Sequence, residues 1–566
     1  MKNNKKIAGL IAIAVFSLYC GNTSDTGNAG GGAQTTESQV AAAPAISVTD
    51  AAVQTAFNAL SDGSFTFQSA ISITSTDGIK LDGNLMVPTG GNAASRYPAI
   101  VFVNSWSLDK AEYLVQAAMF AKKGYIVLTY STRGFGKSGG LINVAGPKDM
   151  DDLRTVLNWL KANTPVDAAN IGMAGISYGA GISLLGLAQM SDVKTAAAMS
   201  GWCNLENSLW AGQSPQQVWG TILIASGYIT GHMDPTILQM YTNLVKYNNV
   251  GDTQAWAAVR SPSTYAAQIN AAGKPVYMSN NFSDNLFNPN QILDFYESLT
   301  VPKRLDLNQG IHATAEVAGL IGLPNFTWGK VHAWFDYHLK GVQNGIMGEA
   351  GLTMESKFTG VRTEFAAWPA AQTVKKTWYL KPRGLFNEAS LSTSWNSAST
   401  TNEFFSGIDT TASSGIPLLS QILESHVDIP VLNWINSISR VNGIWFESGK
   451  FSSGLKIRGR VKANARVTLS QSRGQLVAYL YDTDGLNWGK LITFGSTSLH
   501  SATPNVAQNV AIKLDASAYD LPAGHSLVLA IDTTDLQFAS ANSSLYSVKL
   551  NYSSGNQQTL EIDTMP

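Results

Sequence analysis

Asn170-Ile171-Gly172-Met173-Ala174-Gly175-Ile176-Ser177-Tyr178-Gly179-Ala180 joins an apolar, strand-forming run to a helix-forming run that continues to Met190, with a serine between glycines at the junction. A serine on a tight strand-to-helix turn needs backbone angles that few residues tolerate. Glycine on either side removes side chains that would collide as the hydroxyl points outward. The helix over 180–190 aims its N-terminal N–H groups at an oxygen that becomes negative during acyl transfer. Ser177 is therefore a candidate nucleophile. A second Gly-x-Ser-x-Gly, Gly136-Lys137-Ser138-Gly139-Gly140, runs on through Leu141 to Pro147 with no helix start, so Ser138 reads as a loop residue. The same segment is not a phosphate loop, because Ser131 stands where that motif needs its first glycine.

Working outward, short apolar runs at 99–103, 125–129, 171–176, 195–199, 275–278 and 304–307 have the character of parallel strands buried on both faces. Helical patterns lie between them, clearest at 149–162, where Met150, Leu153, Val156, Leu157 and Leu160 share one face. Alternating β and α predicts an α/β doubly wound sheet. Before it, alternation about Asp77-Gly78 between 68 and 87 predicts a β-hairpin. The β/α alternation breaks at 201–273, an aromatic, helical stretch read as a cap inserted over the site; a helical insertion packing only on itself is the plainer alternative.

Helix 327–339 and a Gly-rich stretch at 341–351 close a catalytic domain assigned to 46–345. Beyond Phe358, alternating runs at 376–380, 455–461, 465–469, 475–481, 509–514 and 526–532 predict an all-β sandwich or jelly roll, assigned to 346–566.

A chain of 566 residues exceeds one core, and its net charge of −1 carries no electrostatic footprint for nucleic acid. Three lysines before residue 7, then a largely apolar run of thirteen residues at 7–19, form the n- and h-regions of an export signal. Cys20 follows, then a Gly/Ser/Thr-rich tether over 21–45. This resembles a bacterial lipoprotein signal over residues 1–20, although Tyr19 and Ser17 replace its usual small residue and leucine. Lipidation of Cys20 and a cell-envelope location, with the lipid anchor as sole membrane contact, are the expectation; a plain cleaved signal or an uncleaved anchor are the alternatives. Cys203, in an apolar setting, reads as a buried thiol.

Acyl transfer from Ser177 requires an imidazole to take its proton and a carboxylate to hold that imidazole in the right tautomer. In this fold these partners follow the serine in the order acid, then histidine, on loops after later strands. Of seven histidines, His312 alone occupies a loop after a strand. Asp284 follows the strand at 275–278, whereas Asp294 falls in a helix and Asp306 in a strand. The oxyanion hole takes the Tyr178 backbone N–H and one from the loop after 99–103, where Ser105 and Trp106 are both candidates. Arg133 reads as a structural loop anchor. This chemistry calls for no metal or cofactor.

The elbow Gly-Ile-Ser-Tyr-Gly-Ala-Gly, the loop Ser-Thr-Arg-Gly-Phe-Gly-Lys-Ser-Gly-Gly at 131–140, the segment Trp334-Phe335-Asp336-Tyr337-His338-Leu339-Lys340-Gly341 and the late β domain resemble the S15 peptidase and cocaine-esterase group. The resemblance covers about residue 68 to the C-terminus. It implies an α/β-hydrolase with helical cap and a C-terminal jelly roll like that of Xaa-Pro dipeptidyl-peptidases, with Ser177, Asp284 and His312 at the triad positions. It also implies a tyrosine hydroxyl as oxyanion donor after the first parallel strand, where this chain reads Val103-Asn104-Ser105-Trp106. The group cleaves esters or peptides. A dipeptidyl-peptidase must pair its substrate's ammonium with a carboxylate, and the cap holds only Glu206, Asp234 and Asp252 against four tryptophans, of which Trp202 and Trp210 are, with Glu206, the candidate substrate-binding residues. An ester substrate is therefore favoured over Xaa-Pro cleavage, with Glu206 the amine partner in the peptidase reading. An inactive surface-binding lipoprotein is the rival from another class.

Overall fold

The computed structural model describes residues 54, 55, 57, 61–90, 96–385 and 387–566. The stretches read as an export signal and a tether, with Cys20 between them, lie outside the described residues. Among the described residues, ten strands form one sheet in the order β1-β2-β4-β3-β5-β6-β7-β8-β9-β10. They are β1 (Phe65–Thr74), β2 (Lys80–Pro88), β3 (Tyr97–Val103), β4 (Ile126–Tyr130), β5 (Val166–Ile176), β6 (Val193–Met199), β7 (Val276–Asn281), β8 (Lys303–Asn308), β9 (Leu352–Glu355) and β10 (Arg362–Phe365). From β4 to β9 every neighbouring pair is parallel, while β1, β2 and β10 are antiparallel to their neighbours. The continuous apolarity of the central strands follows from burial on both faces. In β3, Ala99, Val101 and Val103 enter one core, and Ile100 and Phe102 the other.

From Leu114 on, the described residues form helices α1 (Leu114–Lys122), α2 (Pro147–Asn163), α3 (Tyr178–Gln189), α4 (Leu205–Leu209), α5 (Gln217–Thr230), α6 (Pro235–Lys246), α7 (Val250–Ala258), α8 (Ala266–Ala272), α9 (Pro289–Ser298), α10 (Thr314–Leu320), α11 (Phe326–Lys340) and α12 (Leu419–Val427). The first sheet with α1–α3 and α9–α11 is an α/β-hydrolase layer structure, and α4–α8 form a helical insertion between β6 and β7. Order reverses where β4, β3 and β5 adjoin, so the loops after β3 and β5 emerge side by side at the carboxyl edge, where such sheets bind ligands.

The sheet runs on beyond the Gly-rich stretch at 341–351, because β9 pairs parallel with β8 and turns back into β10. Twelve further strands, from Val374–Lys381 to Thr559–Met565, make a largely antiparallel second sheet. Its strand Leu455–Leu469 alternates as expected, but Gly474–Thr483 and Ser526–Asp532 are buried throughout. Leu476, Ala478 and Leu480 face the main β core, while Val477, Tyr479 and Tyr481 pack under a second layer that includes Val431, Ile435 and Ile438.

Candidate active site

Ser177 sits between the last residue of β5 and the first of α3 with φ +56° and ψ −115°, a conformation that strains any residue with a side chain. Neighbouring glycines make it possible. A Cβ on Gly175 would lie 2.5 Å from the Gly179 carbonyl carbon, and one on Gly179 would lie 2.0 Å from the Val103 carbonyl oxygen. The Ser177 N–H donates to the Met199 carbonyl at 2.8 Å, and the Ser177 carbonyl accepts from Ala180 and Gly181.

Ser177, His312 and Asp284, 28 to 135 residues apart, stand in one hydrogen-bonded row. His312 Nε2 is 2.7 Å from Ser177 Oγ, and Nδ1 is 2.9 Å from Asp284 Oδ2. Asp284 is fully buried, and its other oxygen accepts the N–H groups of Leu286 (3.0 Å) and Phe287 (2.9 Å). Both carboxylate oxygens are thus engaged, which fixes the rotamer that presents Oδ2 to the imidazole. Trp219 from α5 and Phe287 meet the ring edge-on at 5.6 and 5.1 Å. The other candidates stand apart. His332 and His338 on α11 are pushed down to about 4 by burial, with His332 bonded to Gln116, and Ser138 Oγ is held in its loop, donating to the Ser131 carbonyl and accepting from Asp82 N–H. Arg133 is buried on Asp152 and also bonds Asp77.

The two candidate amides after β3 differ. Ser105 N–H donates to Glu112 Oε2 at 2.6 Å and Ser105 Oγ–H to Glu112 Oε1 at 2.6 Å, so that amide is engaged. Trp106 N–H has no acceptor among the described residues, and Tyr178 N–H heads a helix, where no intrahelical partner exists. The Trp106 indole N–H bonds the Leu223 carbonyl and Ser226 Oγ of α5, both at 3.1 Å, which ties this loop to the insertion. Burial pushes the Glu112 carboxyl up to about 7 against the pull of Ser105. That role was not legible, because nothing in the sequence marks a glutamate seven residues on as partner to Ser105.

Beside Ser177 opens a pocket of about 910 Å3, mouth included, under α4–α7. Trp106, Trp202, Trp256, Phe287, Ile224 and Met240 give it an apolar wall. Glu206 is its one carboxylate, and Oε1 already accepts from Gln254 Nε2 at 2.8 Å. Trp202 lines the pocket, with its indole N–H on the Arg260 carbonyl. Trp210 is elsewhere: it packs on Tyr247, which in turn stacks on His500 of the β domain. No group of three or more His, Cys, Asp or Glu able to hold a metal stands among the described residues.

Two family models match in succession, the X-Pro dipeptidyl-peptidase (S15 family) model over residues 77–314 and the X-Pro dipeptidyl-peptidase C-terminal non-catalytic domain over 344–559. A Bacillus anthracis protein provisionally named Xaa-Pro dipeptidyl-peptidase is 21% identical over 312 residues, 48% of this chain and 49% of its own length. The chain spans about half the length of the curated relatives it matches. Among solved structures, a CocE/NonD family hydrolase from Staphylococcus aureus superposes with a TM-score of 0.68 at 12% identity, covering 88% of this chain and 94% of that one. An α-amino acid ester hydrolase superposes at 0.67 with 14% identity, covering 89% and 97%. At these identities the likeness is one of fold.

Proposed function

Because this chain belongs to the S15 peptidase and CocE/NonD family of serine hydrolases with the X-Pro dipeptidyl-peptidase C-terminal domain, we propose that it cleaves carboxylic esters through an acyl-enzyme on Ser177. The observation that carries the reading is the Ser177–His312–Asp284 row opening onto an apolar pocket. His312 Nε2 takes the Ser177 proton as Oγ attacks the carbonyl, and Asp284 holds the tautomer and stabilises the imidazolium. The proton then passes to the leaving alkoxide, and water repeats the sequence to release the acid. Tyr178 N–H and Trp106 N–H receive the oxyanion. An apolar wall suits an acyl or aryl group, whereas a free ammonium has only Glu206 to meet it.

Xaa-Pro cleavage is the second reading, supported by the names of the Bacillus relatives, with Glu206 as amine partner. Comparing kcat/KM for an aryl ester with that for an Xaa-Pro anilide tests the order, after correction for intrinsic reactivity. The expected result is a higher corrected value for the ester, little changed in Glu206→Gln. A high anilide value that collapses in Glu206→Gln with ester turnover spared would reverse it. Fluorophosphonate labelling, expected on the parent and absent in Ser177→Ala, separates both readings from an inactive binding protein.

The first 45 residues support an envelope lipoprotein anchored through Cys20. Detergent phase partition checks this: the parent is expected in the detergent phase and Cys20→Ser in the aqueous phase. An aqueous parent refutes the anchor.

A further inference from the structure

The loops that carry Asp284 and His312 are both gripped by one helix of the β domain. On the acid loop, Ser283 Oγ donates to Glu424 Oε1 of α12 at 2.5 Å. On the histidine loop, Gln309 Nε2 donates to the Glu424 carbonyl (3.3 Å) and to Asp428 Oδ1 (3.2 Å), just past the end of α12. The two loops are also joined directly, Ser283 N–H donating to the Gly310 carbonyl at 2.9 Å.

The grip is anchored. Glu424 is 3% exposed and pairs with Lys357 Nζ at 2.8 Å, and that ammonium also donates to the Ile492 carbonyl of the second sheet. Gln309 is fixed at its other end, its Oε1 accepting from Phe358 N–H and its own N–H donating to Glu355. A buried ion pair with further hydrogen bonds has few alternative arrangements, so it transmits position rather than flexibility.

We propose that α12 is a positioning element of the catalytic centre: Glu424, anchored by Lys357, fixes Ser283 beside Asp284, while the end of α12 fixes Gln309 three residues before His312. The β domain thereby sets the Asp284–His312 geometry. This gives a catalytic-geometry role to the domain whose family description calls it non-catalytic, and it rests on the triad reading above. Misplacing a reacting group by about 1 Å costs on the order of 100-fold. Loss of the grip should therefore appear in kcat, while the pocket that binds substrate is lined by other residues.

The test uses the full-length protein with one aryl ester. Glu424→Ala is expected to lower kcat about 10- to 100-fold with KM within about threefold. Glu424→Gln, which keeps an oxygen for Ser283, should recover most of that loss. Ser283→Ala leaves the Lys357–Glu424 pair intact and covers the case in which Glu424→Ala fails to fold. It should lower kcat about five- to tenfold at unchanged Tm. The downfield NMR resonance of the His312 Nδ1 proton should shift or broaden in both alanine variants. Unchanged kcat and resonance in Ser283→Ala overturn the proposal, as does a kcat loss that only follows the folded fraction. Ser177→Ala is measured beside them: if it keeps activity, the triad reading falls and the proposal with it. If it is inactive while Glu424→Ala and Ser283→Ala match the parent, the proposal alone falls.

Discussion

Glu112 decides which amide after β3 can meet an oxyanion. It takes both the N–H and the hydroxyl of Ser105, which turns that residue into a strut and leaves the N–H of Trp106 free beside the N-terminus of α3. Two hydrogen bonds to one partly buried carboxylate hold the loop more firmly than neutral bonds would. In Glu112→Ala the Ser105 N–H is released and the loop loosens where the proposed oxyanion donor sits. Removing one preorganised donor from such a site costs about 100- to 1000-fold in kcat, so blurring its position should cost about tenfold, with KM within about twofold. Trp106→Phe keeps the amide and gives up the indole bonds to α5, so its expected effect falls on KM. Steady-state kinetics of the two variants on one ester check this, and a kcat loss in Trp106→Phe larger than that in Glu112→Ala would contradict the assignment.

At the scale of elements, α11 shows how burial couples the fold to pH. His332 stacks on Phe120 at 3.9 Å and His338 packs on Trp334, and burial pushes both imidazoles down to about 4. The unfolded chain takes up these protons near pH 6.5 while the folded protein refuses them until about pH 4. The unfolded state therefore binds more protons through that window, and stability falls as pH falls. The expected loss between pH 7 and 4.5 is on the order of 2 kcal/mol from His332, less from the more exposed His338. Urea titrations at the two pH values should show a smaller loss in His332→Gln; an equal loss would rule this source out. The elements themselves were largely legible. β3 to β8 announce themselves as apolar runs because both faces are covered, and the elbow because its glycines meet backbone at 2.5 Å or less. His312 and Asp284 could be picked out because chain order and loop position exclude their rivals. What could not be read depends on long-range packing: β9 pairs with β8, more than 40 residues earlier, and carries β10 into the first sheet, α12 arises inside a β domain, and Trp210 turns from the pocket towards Tyr247.

At the scale of the whole molecule, the β domain touches both the helical insertion and the loops that carry Asp284 and His312. It holds the insertion where Ser214 Oγ meets Ser498 and Ser496, where Gln217 N–H donates to the Gln537 carbonyl, and where His500 Nε2 donates to the Gln213 carbonyl beneath Tyr247. It holds the acid loop across a small cavity lined by Ser283, Asn285, Lys357, Glu424 and Asp515. Asp515 lines this cavity, and burial first and the Asp284 charge second push its carboxyl up to about 8. The folded protein thus keeps a proton on Asp515 that the unfolded chain gives up near pH 4. Across that window the folded state binds more protons, so stability falls as pH rises, and the contribution is gone above about pH 8. Asn has nearly the same shape and no proton to lose. Asp515→Asn should match the parent in Tm near pH 4 and exceed it by a margin that widens towards pH 8.5, an effect on the order of a few kcal/mol at the alkaline end. Differential scanning at four pH values gives the slope directly. A constant difference between the two proteins would mean that Asp515 is ionised throughout, and that the interface next to Asp284 already accommodates two like charges.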